Sequence, residues 1–173
     1  MNINEFYEFG SKFVSSTVQV HMVNPEELHS IDPNKKYLFG ENKLVQGDYS
    51  GISFPVVFKQ EYGKKLQDML DTGTESLFLI SDRMKSVLEA NNLTGWKTFA
   101  VKVLTKKGED IPGYHGLSIT GRCGKIDYSK SEIFEKRLVP EAPLAKFHKG
   151  LYVGLDEWDG SDFFCRKNTL ELL

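Results

Sequence analysis

Cysteine is scarce in this sequence, and so is any excess of one sign of charge. The 173 residues include two cysteines, Cys123 and Cys165, which are too few for a disulfide scaffold and are expected to stay reduced. Lysine and arginine number 22 and aspartate and glutamate number 24, so the formal net charge is -2. Because the chain has no excess of positive charge that would bind phosphate groups, we expect no direct binding of nucleic acid.

Long apolar runs are also missing. No stretch approaches the about 18 apolar residues that a membrane-spanning helix needs, and residues 1–10 lack the basic region and apolar run of a secretory signal. We therefore expect a cytoplasmic protein with no membrane contact. Hydrophobic residues make up 40% of the chain, which is enough for a folded core and excludes intrinsic disorder.

The common catalytic motifs are absent as well. The sequence contains no phosphate-binding loop, dinucleotide fingerprint, zinc-protease helix motif, nucleophile elbow or Cys-x-x-Cys pair. Residues 121–124 contain two glycines and are interpreted as a turn between strands. Cys123 has Arg122 and Lys125 nearby, which would favour a reactive thiolate, so a small hydrolase or transferase with Cys123 as its nucleophile is one alternative. We expect no cofactor and no metal site.

Alternating apolar and polar residues predict a chain rich in β-strands. Within residues 13–23, for example, Val18 and Val20 fall on one face, and Gln19 and His21 fall on the other. Similar patterns or short apolar runs predict further strands at 35–39, 54–58, 77–80, 97–104, 114–120, 150–155 and 162–166.

Two segments have the spacing of amphipathic helices. Apolar residues from Tyr62 to Leu70 follow the i, i+4, i+7, i+8 pattern, which predicts a helix there. A second helix is predicted over 82–90, where Ser81 can cap the amino terminus. Residues 129–137 are ambiguous and fit one or two helical turns.

Together these elements predict a single α+β domain over residues 1–173, built on a mainly antiparallel sheet with two or three packed helices. Strands and helices do not alternate in the way that builds a doubly wound parallel sheet. A division of this domain into an N-terminal sub-region, 1–73, and a second region, 74–173, is left open.

Most other charged and titratable residues are interpreted as structural. The lysine doublets Lys35-Lys36, Lys64-Lys65 and Lys106-Lys107 are far apart in the sequence and form no continuous basic stripe, so they are read as separate solvated faces. His115 shares a strand face with Leu117, a position where histidine is more often a hydrogen-bonded core residue than a metal ligand.

Acidic residues cluster once, around a tryptophan. The cluster contains Asp156, Glu157, Trp158, Asp159 and Asp162. A calcium loop would need a distal bidentate glutamate that this segment lacks, and a hydrolase site in the 156–162 loop would need two carboxylates at a set separation. A solvated turn between strands is the plainer interpretation. Because tryptophan anchors interfaces and acids select basic partners, we predict these five residues as a partner-binding patch.

One part of the chain has a familiar order of short motifs. It runs Leu77-Phe78-Leu79-Ile80-Ser81, the helix 82–90, Asn92-Leu93-Thr94-Gly95-Trp96, the strand 99–104, Tyr114-His115-Gly116-Leu117-Ser118-Ile119 and Gly121-Arg122-Cys123-Gly124-Lys125-Ile126-Asp127. This order resembles the immunity-protein families of bacterial polymorphic toxin systems, in particular their double-CXXCG group. Only one Cys-Gly pair is present, at Cys123, and no CxxC precedes it, so the zinc site that a double motif implies is not expected here.

The resemblance implies a stoichiometric inhibitor that binds and blocks a cognate toxin and is not an enzyme. The acidic patch would then suit a basic surface, such as that of a nuclease toxin. Two other classes stay open: a small hydrolase or transferase that uses Cys123 or the 156–162 loop, and a structural domain that self-associates through exposed strand edges. The sequence does not indicate an oligomeric state.

Overall fold

The computed structural model describes residue 10, residues 16–23, 30–32, 35–38, 40–74, 77–124, 127, 129–130, 132–137, 145–150 and 157–166. In chain order the elements are β1 (Gln19–Met22), β2 (Ser30–Asp32), β3 (Lys35–Leu38), α1 (Gly40–Gln46), β4 (Val56–Tyr62), β5 (Met69–Asp71), β6 (Phe78–Ser81), α2 (Asp82–Ala90), β7 (Trp96–Leu104), β8 (Tyr114–Ile119), β9 (Gly121–Cys123), β10 (Glu132–Lys136), β11 (Ala145–Gly150) and β12 (Phe164–Arg166).

Six strands close into a barrel in the order β1-β4-β7-β8-β6-β5, and β5 returns to β1. The neighbours β4 and β7 are parallel, as are β5 and β1, and the other four pairs are antiparallel. Within the described ranges, three two-stranded sheets accompany the barrel: β2 with β3, β10 with β11, and β9 with β12. Residues 1–73 contribute three of the barrel strands, β1, β4 and β5, and residues 74–173 contribute the other three.

The expected α+β fold with two or three packed helices is wrong, because the protein is a closed β-barrel with two helices among its described residues. The error comes from residues 62–70, which form no helix: Tyr62 ends β4, and Met69 and Leu70 begin β5. Gly63 separates the two strands with a φ of 71°, and a β-carbon there would lie 1.9 Å from the Thr17 carbonyl oxygen. Gly63 begins the connection from β4 to β5, and the buried apolar residues of both strands face the same interior.

Two further segments also differ from their predicted structure. Residues 121–124, predicted as a turn, contain β9, which pairs in parallel with β12. Residues 129–137, which fitted one or two helical turns, contain β10, and it pairs with β11 in an antiparallel sheet. The strand predicted at 150–155 meets the end of β11 at Gly150, and its remaining residues lie outside the described ranges.

The barrel interior holds the main hydrophobic core. Alternate residues of the strands point inward, and Val20, Phe58, Leu70 and Leu79 are fully buried there. Helix α1 contributes Leu44 to the same cluster. Its carbonyl oxygen accepts a hydrogen bond from the Ser118 hydroxyl of β8, which also lies 3.0 Å from the Tyr49 hydroxyl. The buried hydroxyl of Ser118 is therefore satisfied by α1 and the turn that follows it.

Helix α2 covers the outer face of β6 and β8, and the predicted helix over 82–90 is confirmed. The Ser81 hydroxyl caps it by accepting from the Met84 amide at 3.1 Å. Leu88 packs with Ile80 and Leu117, so this part of the barrel is apolar on both faces. Neither of the helices described here is long and apolar enough to cross a membrane.

Candidate functional site

Four of the five residues predicted as a binding patch lie in residues 157–166, named here the acidic segment. Glu157, Asp159 and Asp162 are exposed, and Trp158 is half-buried. Asp156 lies outside the described residues. The acidic segment packs against the end of the barrel where β7 begins and β8 ends, because its contacts are with residues 94–95, just before β7, and with residues 121–122 of β9.

Asp162 attaches the acidic segment to Thr94, which lies just before β7. The Thr94 amide and hydroxyl both donate to Asp162 Oδ2 at 2.7 Å. In return, the Asp162 amide donates to Thr94 Oγ1 at 3.1 Å, and the Phe163 amide donates to the Thr94 carbonyl oxygen at 3.0 Å. The hydrogen bonds from Thr94 lower the pKa of Asp162 below its usual value, because they stabilise the carboxylate.

Asp159 makes a second attachment, to Arg122 on β9. The Arg122 amide donates to Asp159 Oδ2 at 3.0 Å, and the Asp159 amide donates to the Arg122 carbonyl oxygen at 3.1 Å. The Ser161 amide donates to Asp159 Oδ1 at 3.0 Å, which closes a local turn. Hydrogen bonds from Ser161, and then from Arg122, lower the pKa of Asp159. Two carboxylates of the predicted patch thus hold the segment on the barrel.

Two glycines allow the segment to approach this closely. A β-carbon on Gly95 would lie 2.1 Å from the Phe163 carbonyl oxygen, and one on Gly121 would lie 2.0 Å from the same atom. Gly95 also has a φ of 81°, a conformation that glycine adopts without steric cost. The side chain of Phe163 packs with the apolar cluster under α2, so the segment is anchored by an aromatic ring as well as by hydrogen bonds.

Trp158 is also used within the segment. Its indole Nε1 donates to the Ser161 carbonyl oxygen at 2.9 Å, and its ring centroid lies 5.8 Å from that of Phe164. The indole therefore has a fixed orientation and keeps part of its surface in solvent. A fixed, half-exposed aromatic ring loses little conformational entropy when it meets a partner.

Acidification is expected to loosen the acidic segment. The pKa values of Asp159 and Asp162 are lowered in the folded protein, so their contribution to stability is complete above the usual aspartate pKa of 3.8 and is lost as the pH falls through the lowered values. We expect the NMR signal of the Trp158 indole N–H to be constant above about pH 5 and to shift below about pH 4.

The matched control for the pH titration is the double variant Asp159→Asn/Asp162→Asn. Asparagine keeps an oxygen that can accept the same amide hydrogen bonds but does not titrate in this range. The indole signal of the variant should therefore change much less with pH. An identical transition in the variant would show that other groups control the attachment.

The alternative that uses Cys123 as a nucleophile has little support from the geometry. Cys123 is 1% exposed within β9, whereas a nucleophilic thiolate must reach its substrate. His115 faces outward, and its Nε2 lies 2.7 Å from Asp82 Oδ1 at the start of α2. Across the described ranges, no group of three or more histidine, cysteine, aspartate or glutamate side chains is arranged to hold a metal ion.

Sequence reasoning located the acidic segment but missed the residues that bind it. Thr94, Gly95 and Gly121 make its closest contacts, and none of them was singled out as a site residue. Their only signals were the two short motifs of the family resemblance that contain them, and for Gly121 the predicted glycine turn at 121–124. Since Thr94 and Asp162 are far apart in the sequence, no local pattern could pair them.

The comparisons with known proteins agree with the resemblance to immunity proteins. No curated protein matches the chain. A family model described as Immunity protein family (Imm11) matches residues 5–171, which is nearly the whole sequence. The match therefore extends beyond the C-terminal region that carried the resemblance and includes the first barrel strands. The chain belongs to the Immunity protein family (Imm11).

Proposed function

We propose that this protein neutralises a cognate bacterial toxin by binding it directly and carries out no chemical reaction itself. The observation that carries the proposal is the family match over residues 5–171, since membership of an immunity protein family suggests a toxin-neutralising role. Burial of the Cys123 thiol also favours binding over nucleophilic catalysis. Such a protein would act in the cytoplasm of the cell that it protects.

The surface that we propose for toxin contact is formed by the acidic segment together with Asp156, which comes just before it. Its contact residues are Asp156, Glu157, Trp158, Asp159 and Asp162. Its attachment to the barrel supports this role, because a surface held in place loses little entropy on binding. The carboxylates of Asp159 and Asp162 stay exposed although each accepts hydrogen bonds from the barrel. Negative charge beside a half-exposed tryptophan suits a basic toxin surface and would speed association.

Binding to the toxin encoded beside this protein tests the proposal. Glu157→Lys reverses an exposed charge without removing either of the two aspartate attachments. We expect it to lower the association rate constant by about threefold to tenfold at low salt, with a smaller effect as salt is added. The matched control is Glu89→Lys, which makes the same charge change on exposed α2 and should bind like the wild type.

Two results would contradict different parts of the proposal. If the unaltered protein does not bind that toxin, direct neutralisation is wrong. If it binds, but Glu157→Lys and the double variant Trp158→Ala/Asp159→Ala both keep full affinity, the contact lies on another surface. Calorimetry at two salt concentrations would separate these cases, since charge-driven binding depends on salt.

A structural self-association domain is the weaker alternative. The six barrel strands pair in a closed ring and offer no free edge for another copy of the chain. Among the strands that the structure describes, edge pairing would have to use one of the two-stranded sheets. The mass in solution, measured by light scattering, tests this alternative directly.

A further inference from the structure

The barrel topology brings together two lysine doublets that are distant in the sequence. Strand β4 ends at Tyr62, just before Lys64-Lys65, and β7 ends at Leu104, just before Lys106-Lys107. Because β4 and β7 are parallel neighbours, both strands end at the same end of the barrel. The doublets were read as separate solvated faces from the sequence, and the parallel pair places them side by side.

An open cleft of about 610 Å³ lies between these two turns, and Lys64, Lys106 and Lys107 line it. The backbone on each side is fixed by hydrogen bonds. The Lys64 and Lys65 amides both donate to the Ser16 carbonyl oxygen, at 3.0 and 2.9 Å. On the other side, the Lys107 amide donates to the Thr105 hydroxyl at 3.3 Å. The cleft, together with the four lysines of the two doublets that lie in and beside it, is named here the basic cleft.

The basic cleft is not neutralised by its surroundings. Within the part of the chain that the structure describes, none of its four ammonium groups lies within 4.0 Å of a carboxylate. Glu109 is the one acidic residue among those that line it. Of two nearby carboxylates, Asp110 is engaged by Lys102, at 3.6 Å. Glu61 lies 3.9 Å from His21 and beside the Tyr62 hydroxyl, where its hydrogen bond raises the pKa of Tyr62. Positive charge therefore predominates here in a chain whose net charge is -2.

Exposed apolar side chains lie next to these lysines. Tyr62 is 58% exposed, and the Lys106 ammonium lies 5.8 Å from the centroid of its ring. Leu66, directly after the first doublet, is 48% exposed. Tyrosine beside positive charge suits protein interfaces and nucleic acids alike, whereas an exposed leucine contributes to binding only by packing against apolar groups. The combination favours a protein that is acidic and partly apolar.

The basic cleft and the acidic segment lie at opposite ends of β7. Thr94 and Gly95, which hold the acidic segment, come before β7, and Lys106-Lys107 come after it. The nine residues of β7 span about 26 Å at about 3.3 Å for each step. This distance exceeds the Debye length of about 8 Å at physiological salt, so the two surfaces act independently.

We propose that the basic cleft is a second protein-binding surface, which binds an acidic segment of a partner through its lysines and apolar side chains of that segment through Tyr62 and Leu66. This surface is distinct from the one proposed for toxin neutralisation. It does not require that proposal to hold, because its charge has the opposite sign and it lies at the other end of the barrel.

A short fluorescent peptide of alternating glutamate and leucine is the probe for this surface, with fluorescence anisotropy as the measurement. We expect the full chain to bind it, and Lys106→Glu/Lys107→Glu to weaken binding by about tenfold or more. The matched control, Lys85→Glu/Lys136→Glu, reverses two lysines on α2 and β10 and makes the same change in net charge. It should bind within about twofold of the unaltered chain.

Two further arms separate this proposal from general charge attraction. Leu66→Ser keeps every charge and should weaken binding of the peptide but not of one in which serine replaces leucine. A single-stranded oligonucleotide of equal charge should bind more weakly than the peptide. The proposal is overturned if the unaltered chain does not bind the peptide, if the two double variants weaken binding equally, or if the oligonucleotide binds more tightly. Each of these results can occur whether or not the protein neutralises a toxin.

Discussion

Phe58→Ala is expected to lower the free energy of unfolding by about 3–5 kcal/mol, the usual cost of removing a buried phenylalanine ring. Phe58 is 0% exposed and lies in β4, where it pairs with Met22 of β1 and Val103 of β7. Its ring therefore fills the interior between three strands that are distant in the sequence. Urea denaturation followed by circular dichroism measures the loss.

The matched control is Phe54→Ala, the same substitution just before β4. Phe54 is 40% exposed, and its ring meets that of Tyr49 edge to face, with centroids 5.4 Å apart. Loss of this ring pair and of the buried part of the Phe54 side chain should lower the free energy of unfolding by about 1–2 kcal/mol. If the two variants were equally destabilised, Phe58 would not occupy the centre of the core.

Gly95→Ala is expected to lower the free energy of unfolding by about 3 kcal/mol and to release the acidic segment from the barrel. Part of this, about 1–2 kcal/mol, is the cost of a left-handed backbone for alanine. The rest, about 1–3 kcal/mol, comes from forcing a β-carbon against the Phe163 carbonyl oxygen, which lies 2.1 Å from its position. Amide hydrogen exchange at Phe163 should speed up, since its hydrogen bond to Thr94 would break.

Gly160→Ala separates the two causes. Gly160 has a φ of 82°, almost the same as the 81° of Gly95, but a β-carbon there would meet nothing within 4 Å. Its alanine variant should therefore lose only the left-handed backbone cost and keep slow exchange at Phe163. Equal effects of the two substitutions would show that the close approach at Gly95 contributes nothing.

Predictions that depend on residues close together in the sequence succeeded, and features that depend on distant residues were not predicted. Strands β7 and β8 and the helix α2 were predicted because alternation and the Ser81 cap depend on adjacent residues. The helix predicted over 62–70 failed because its apolar spacing was also compatible with the end of one strand and the start of another, joined by residues 63–68. The closed barrel could not be predicted, since ring closure depends on pairings such as Val56 with Val101.

The candidate surfaces show the same limit. The acidic segment was recognised from composition, whereas its attachment to Thr94 depends on the fold. The lysine doublets, Lys64-Lys65 and Lys106-Lys107, were interpreted from the sequence as unrelated. Each was visible in the sequence, but their combined charge was not, because it arises only where β4 and β7 end together.

The closure of the barrel is uneven around the ring. Strands β1 and β5 share a single residue pair, Gln19 with Asp71, whereas β7 and β8 share five pairs. The segments just before β1 and β5 add one bridge, Thr17 with Lys65, and backbone hydrogen bonds between residues 16–18 and 64–65. A joint with fewer paired residues is expected to open at a lower free energy than the rest of the ring. Local opening of the native protein should therefore begin there, with β1 separating from β5 while it stays paired with β4. We expect this opened sheet to be populated only transiently, with the closed ring as the average structure.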